Sequence, residues 1–227
     1  MRVRLHLVER SQPLREKQQA LLGNRVHWHD SVEDALAACS GRACIYSNEF
    51  ADAFPVRRFR REDDGWSELY LTPAEDWRRC DTLPDSTVFD CPHPPGQIAE
   101  VNEAYHHWLA GLLPAWQAGR MLTIDYGSVV ESLYQRRPRG TLRAYLFQQR
   151  LEGPAIYENP GRQDLTADVN FSDLLRWTAP GLETVSLHSQ RDFLLPHADP
   201  AAAADAHAID PGGAGSAFLV LDQRRGS

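Results

Sequence analysis

A chain of 227 residues, 42% apolar and 24% charged, has the length for one substantial core and the composition of an ordinary globular protein. A nucleic-acid binder needs a basic face for phosphates, and the formal net charge of −7 argues against one. No apolar run has the length of a membrane span. The cysteines Cys39, Cys44, Cys80 and Cys91 fall in no CxxC pair, so reduced thiols in a cytoplasmic protein are expected.

Val3, Leu5 and Leu7 alternate with Arg2, Arg4 and His6 before Glu9, the pattern of a strand that ends in an acid rather than of a signal or transit peptide. Ser11 and Pro13 open a helix that Gly23 stops. A short strand from Arg25 to Trp28 follows, then a helix that Ser31 and Asp34 cap. Ala43 to Ser47 is a short apolar run, so the order is β-α-β-α-β, which predicts a wound, mostly parallel α/β sheet.

Val56–Phe59 and Trp66–Leu71 flank Asp63-Asp64-Gly65, the mark of a hairpin. The stretch from Thr72 to Gln97 is expected as a loop. A helix then carries Val101, Tyr105, Trp108, Leu109, Leu112, Leu113 and Trp116 on one core-facing stripe, and Gly119 is expected to end it. Met121–Ile124 reads as a strand closed by Asp125-Tyr126-Gly127. Beyond it the chain reads as irregular to about Asn170, with a short helix near Ser172–Thr178, a mobile segment from Pro196 to Ala208 and a last strand at Phe218–Leu221. No repeat or linker divides the chain, so residues 1–227 are expected to form one domain.

Several strings, taken in order, resemble the MidA-like class I methyltransferases, a family that includes a mitochondrial arginine methyltransferase acting in complex I assembly. They are His6-Leu7-Val8-Glu9 with Ser11; Ser47-Asn48-Glu49-Phe50 with Asp52-Ala53 and Pro55-Val56; Gly65-Trp66 with Glu68; Ile124-Asp125-Tyr126-Gly127; Gly140 to Tyr145; Asn159-Pro160-Gly161; and Gln163 to Val169. Ser189-Gln190, Phe193-Leu194, Gly215 and Phe218–Leu221 continue the match to the end. The resemblance implies a Rossmann-like sheet, S-adenosyl-L-methionine as cofactor and a protein arginine as methyl acceptor. Family members open with a helical region, a strand and a glycine-rich turn that lets the backbone approach the cofactor. This sequence has no such turn and begins at what the family would call its second strand, the strand before it being central in the family's sheet. Asp168 and Asn170 stand where many members have histidine and aspartate.

The resemblance makes Glu9 a ribose-binding acid and places His29 or Asp30 near the adenine. Asn48, Glu49 and Asp52 lie just past a strand end, where α/β sheets gather ligands. Carboxylates there can orient a guanidinium through paired charge-assisted bonds, so Asn48, Glu49 and Asp52 are catalytic candidates, with Asn48 also facing cofactor. Asp125, Tyr126 and Asp164 are the substrate candidates, while Asp125–Gly127 also fits a simple turn. His27, His29 and Asp30, or Cys80, Cys91 and His93, lack the spacing of a structural zinc site, so no metal is expected. The run Arg57, Arg58, Arg60 and Arg61 reads as a solvated hairpin face. Two readings remain open: a methyltransferase acting on protein, and a non-catalytic remnant or partner-binding fragment without its cofactor loop. Neither implies a nucleic-acid or membrane partner, and oligomeric state is not legible.

Overall fold

The computed structural model describes residues 3–72 and 75–226. It opens with β1 (Leu5–Val8), α1 (Gln12–Leu22), β2 (Val26–His29), α2 (Val32–Ala38) and β3 (Ile45–Asn48), in the predicted order. Pro13 lies in the first turn of α1, and Gly23 closes that helix at φ 54°, a left-handed conformation glycine adopts without a Cβ clash. Ser31 caps α2 by accepting the Asp34 N–H at 3.1 Å, the capping bond its spacing predicts. Ser11 stands at the start of α1 but makes no side-chain cap. Its N–H is instead donated to the Glu9 carboxylate at 2.8 Å.

β4 (Arg57–Glu62) and β5 (Gly65–Leu71) form the expected hairpin. The segment expected as a loop contains β6 (Glu75–Arg79), antiparallel to β5. Trp77 is the one apolar residue in β6, and the strand is steadied by Arg60 lying over the Trp77 ring at 4.6 Å, a contact that a search for apolar runs does not register. Val101, expected on the helix, ends β7 (Ile98–Val101), which completes a second sheet in the order β6-β5-β4-β7. The arginine run is not simply a solvated face. Arg58 is 8% exposed and donates to Glu100 at 3.2 Å, to the Tyr157 hydroxyl at 2.5 Å and to the Arg139 carbonyl at 2.8 Å.

α3 (Glu103–Ala115) buries Tyr105, Leu109 and Leu112, spaced for one helix face. Gly119 does not end it; that residue begins β8 (Gly119–Ser128), which runs through Asp125, Tyr126 and Gly127 rather than stopping at Ile124. The stretch expected as irregular holds α4 (Val130–Leu133), the small antiparallel sheet of β9 (Arg143–Leu146), β10 (Gln149–Leu151) and β11 (Asp164–Thr166), and β12 (Val169–Asn170). Strands this short show no readable period. α5 (Phe171–Thr178), β13 (Glu183–Ser189), α6 (Gln190–Leu194), α7 (Ala203–Ala208), α8 (Ala214–Ala217) and β14 (Phe218–Arg225) follow, with α7 inside the segment expected to be mobile.

β8 organises the main sheet. β3 and β12 run parallel along one edge, with Asn48 opposite Ile124 and Val169 opposite Gly127. β14 runs antiparallel along the other edge, and β13 pairs outside it. β1 and β2 pair in parallel as a separate two-stranded sheet. Among the described residues β1 and β3 do not pair with each other, as the family's order, with a position between them, predicts. One core gathers Tyr105, Leu109, Leu112, Trp116, Met121 and Phe171; another gathers Phe59, Trp66, Val88, Val101 and Tyr134 under the second sheet.

Candidate functional site

Two strand ends build the candidate site. Asn48 ends β3 beside Ile124 of β8, and the Glu49 N–H donates to the Ile124 carbonyl at 3.0 Å. Glu49 turns the chain with φ 49°, a left-handed conformation uncommon for a residue with a Cβ. A short 3-10 turn, Ala51–Ala53, then folds back over the end of β8.

Asp125 fastens that turn. Alternation along β8 turns Met121, Thr123 and Asp125 inward, and Asp125 is fully buried. Its Oδ2 accepts the N–H groups of Phe50, Ala51 and Asp52 at 3.2, 2.9 and 3.3 Å, and its Oδ1 accepts the Tyr126 N–H at 2.9 Å. Burial, followed by the neighbouring Asp52, pushes the Asp125 carboxyl up to about 7, against the backbone donors that favour its charged form. The turn has two further ties. Asn102, at the start of α3, donates to the Ala51 carbonyl at 2.7 Å while capping the Tyr105 N–H at 3.0 Å. The Thr166 hydroxyl donates to Asp52 Oδ2 at 2.7 Å. Neither Asn102 nor Thr166 was a candidate from sequence, although an asparagine just before a helical stripe is a cap signal.

Glu49 is exposed and Asp52 nearly buried, at 8%. Burial, then the nearby Glu49 and Asp52 carboxylates, raise the Tyr126 pKa. Among the described residues none of Glu49, Asp52 and Asp125 forms an ion pair. Arg143 lies over the Tyr126 ring at 5.7 Å, but its guanidinium is taken by Asp168. An acidic corner without its own cation is suited to accept one from outside.

The structure thus brings Asn48, Glu49, Asp52, Asp125 and Tyr126 together, with Asn48 Nδ2 donating to Glu49 Oε1 at 3.3 Å. Glu9, His29 and Asp30 gather separately, at the carboxyl ends of β1 and β2. Glu9 also accepts from Gln18 Nε2 at 3.2 Å, His29 Nε2 lies 2.8 Å from His6 Nδ1, and Asp30 pairs with Arg15. Asp164 is exposed on β11 opposite Tyr145, two positions before Thr166. Among the described residues no group of three histidine, cysteine, aspartate or glutamate side chains could hold a metal ion, and no helix is long and apolar enough to cross a membrane.

Glu9, an acid at a strand end just before a helix, fits the ribose of a bound nucleoside. The backbone of this chain fits the rest of such a ligand less well. The turns after β1, β2 and β3 begin Glu9-Arg10, Asp30-Ser31 and Glu49-Phe50, and none offers a glycine for close approach.

A family model described as "Putative S-adenosyl-L-methionine-dependent methyltransferase" matches residues 1–187. Among curated relatives, the protein arginine methyltransferase NDUFAF7 homolog, mitochondrial, of Caenorhabditis elegans is 24% identical over 194 residues, covering 80% of this chain and 43% of that protein. The protein arginine methyltransferase NDUFAF7, mitochondrial, of Danio rerio is 26% identical over 224 residues, covering 85% and 50%. The chain therefore spans about half the length of these relatives. A Burkholderia thailandensis crystal structure with S-adenosyl-homocysteine bound has the same fold, with a TM-score of 0.79 at 24% identity over 98% of this chain and 64% of that one.

Proposed function

We propose, for a chain that belongs to the S-adenosyl-L-methionine-dependent methyltransferase family, that the corner where β3 and β8 end receives the guanidinium of a protein arginine for methylation. The observation that carries the reading is the group of Glu49, Asp52 and Tyr126 around a turn locked by Asp125, with no cation of its own. The cofactor, when bound, supplies a methyl group on a positively charged sulfur. Glu9 would hold its ribose.

Arginine stays protonated at neutral pH and is a poor nucleophile until a nitrogen lone pair is exposed. Exposed Glu49 accepts the N–H bonds of the guanidinium and holds the proton that the nitrogen sheds as it gains a methyl group. Asp52 supplies the second carboxylate of the clamp, and paired acceptors fix the plane of the guanidinium. Asp125, with both oxygens committed to backbone N–H groups, is a positioning residue for that turn. Asn48 orients Glu49. The relatives named as protein arginine methyltransferases support arginine as the acceptor.

A second reading, a partner-binding protein without catalysis, draws on the turns after β1, β2 and β3, none of which offers a glycine for close approach to a cofactor. Methyl transfer distinguishes the two. Protein isolated from its own cells and given S-adenosyl-L-methionine with a methyl label should place that label on arginine in acceptor proteins, and Glu49→Gln should abolish it. Label found on lysine or carboxylates instead, or retained in full by Glu49→Gln, would overturn the arginine reading. No labelled protein from any source would favour the non-catalytic one.

A further inference from the structure

An arginine-lined cavity adjoins the acidic corner. It has a volume of 940 Å³ and is bordered by Arg58, Arg136, Arg137, Arg139, Arg143 and Arg150. The carboxylates that line it are Glu75, Glu152 and Asp168, so arginines outnumber acids in a chain whose net charge is −7. Most of these arginines are committed. Arg58 pairs with Glu100, Arg137 and Arg143 share Asp168, and Arg150 pairs with Glu152. Arg136 and Arg139 are different: both are exposed, and among the described residues neither guanidinium has a carboxylate or hydrogen-bond partner. Tyr126 joins the two places, since it follows Asp125 on β8 and lines the cavity.

The β9–β10 hairpin contributes Arg143, Tyr145 and Arg150 to the lining. β9 and β10 turn at Phe147 and Gln148, both at positive φ, and Phe147 is 91% exposed. Tyr145 and Arg150 are cross-strand partners in this hairpin and both line the cavity. Unpaired guanidinium groups at a cavity lined mostly by arginine suit a polypeptide that offers carboxylates. The chain's net charge of −7 disfavours a long phosphate backbone more than a short acidic segment seated in this cavity.

We infer that this cavity binds an acidic segment of the protein acceptor, with Arg136 and Arg139 as the residues that read its carboxylates. The inference rests on the acceptor reading of the neighbouring corner and deepens it. A target arginine in the acidic corner would be accompanied by aspartates or glutamates reaching the basic cavity, so the two sites have opposite charge and select a sequence rather than a single side chain.

Fluorescence anisotropy on the 227-residue chain tests this without cofactor. Two labelled peptides carry one arginine, flanked in one by aspartate and glutamate and in the other by asparagine and glutamine. The acidic peptide should bind at least about tenfold more tightly at low salt, with that preference shrinking as salt rises. Arg136→Gln with Arg139→Gln should erase the preference while leaving the neutral peptide's affinity as it was, which also reports that the variant is folded. Equal binding of the two peptides, a preference retained by the double variant, or tighter binding of a single-stranded RNA than of the acidic peptide would each overturn the inference. If the acidic preference holds while Glu49→Gln leaves binding untouched, the cavity stands and the guanidinium corner falls.

Discussion

The Asp125 Oδ2 atom accepts the backbone N–H of Ala51 at 2.9 Å across 74 positions of sequence. That bond, with its companions to Phe50 and Asp52, makes the geometry of one strand's exit depend on the end of another. Asp125→Asn keeps the shape but presents an NH₂ group to N–H donors. Leaving buried donors unmatched costs about 1–3 kcal/mol. Urea unfolding should therefore show a lower midpoint, and an unchanged midpoint would mean that the turn does not depend on Asp125.

The same carboxyl sets a pH dependence. Its folded pKa is about 7, while an unfolded aspartate titrates at about 4. Between those values the folded chain binds more protons than the unfolded one, so this group's contribution to stability is full below about pH 4 and is lost as pH rises through about 7. The melting temperature of the wild type should fall more steeply from about pH 5 to about pH 8 than that of Asp125→Asn. Parallel curves for the two proteins would contradict this.

What the sequence made legible, and what it hid, follows the range of the interactions. Glu9, Asn48, Glu49 and Asp125 were legible as candidates because each stands at or beside the end of an apolar run, and a parallel sheet sends such residues to one edge. The inward turn of Asp125 was not, because the strand seemed to close at Ile124; only with β8 extended to Ser128 does Asp125 fall in the inward series of Met121 and Thr123. Asn102 and Thr166 reach the turn from 51 and 114 positions away, distances over which no local pattern carries information. β6 was hidden because it is polar apart from Trp77, and β9 to β11 because each has at most four residues. Arg58 was taken for surface because its partner Glu100 is 42 positions away.

Gly127 is fixed by close approach. A Cβ there would stand 2.0 Å from the Val169 carbonyl oxygen, on the strand that pairs with β8 at that point. Gly127→Ala must push β12 away and should cost about 1–3 kcal/mol. Gly181→Ala, where a Cβ meets nothing within 4 Å, should stay within about 0.5 kcal/mol of wild type. Equal thermal midpoints for the two variants would contradict the packing of β12 on β8.

Arg58 and Glu100 form a buried ion pair, with side chains 9% and 2% exposed. Removing one member strands the other. Although Thr141 also donates to Glu100 at 2.9 Å through its N–H, Arg58→Met should cost about 3 kcal/mol, and Arg58→Met with Glu100→Leu should recover part of that loss. A double variant less stable than the sum of the single ones would show that this pair is not the source of the cost.

The central claim is that the corner of Glu49 and Asp52 holds an arginine guanidinium, and calorimetric titration of a peptide against its arginine-to-lysine counterpart tests it most directly. A planar, forked guanidinium can engage two carboxylates at once where an ammonium cannot. The account predicts that the arginine peptide binds the wild-type chain at least about tenfold more tightly than the lysine peptide, and that Glu49→Gln removes the difference. Equal affinity for the two peptides, or a preference for arginine that survives Glu49→Gln intact, would contradict it.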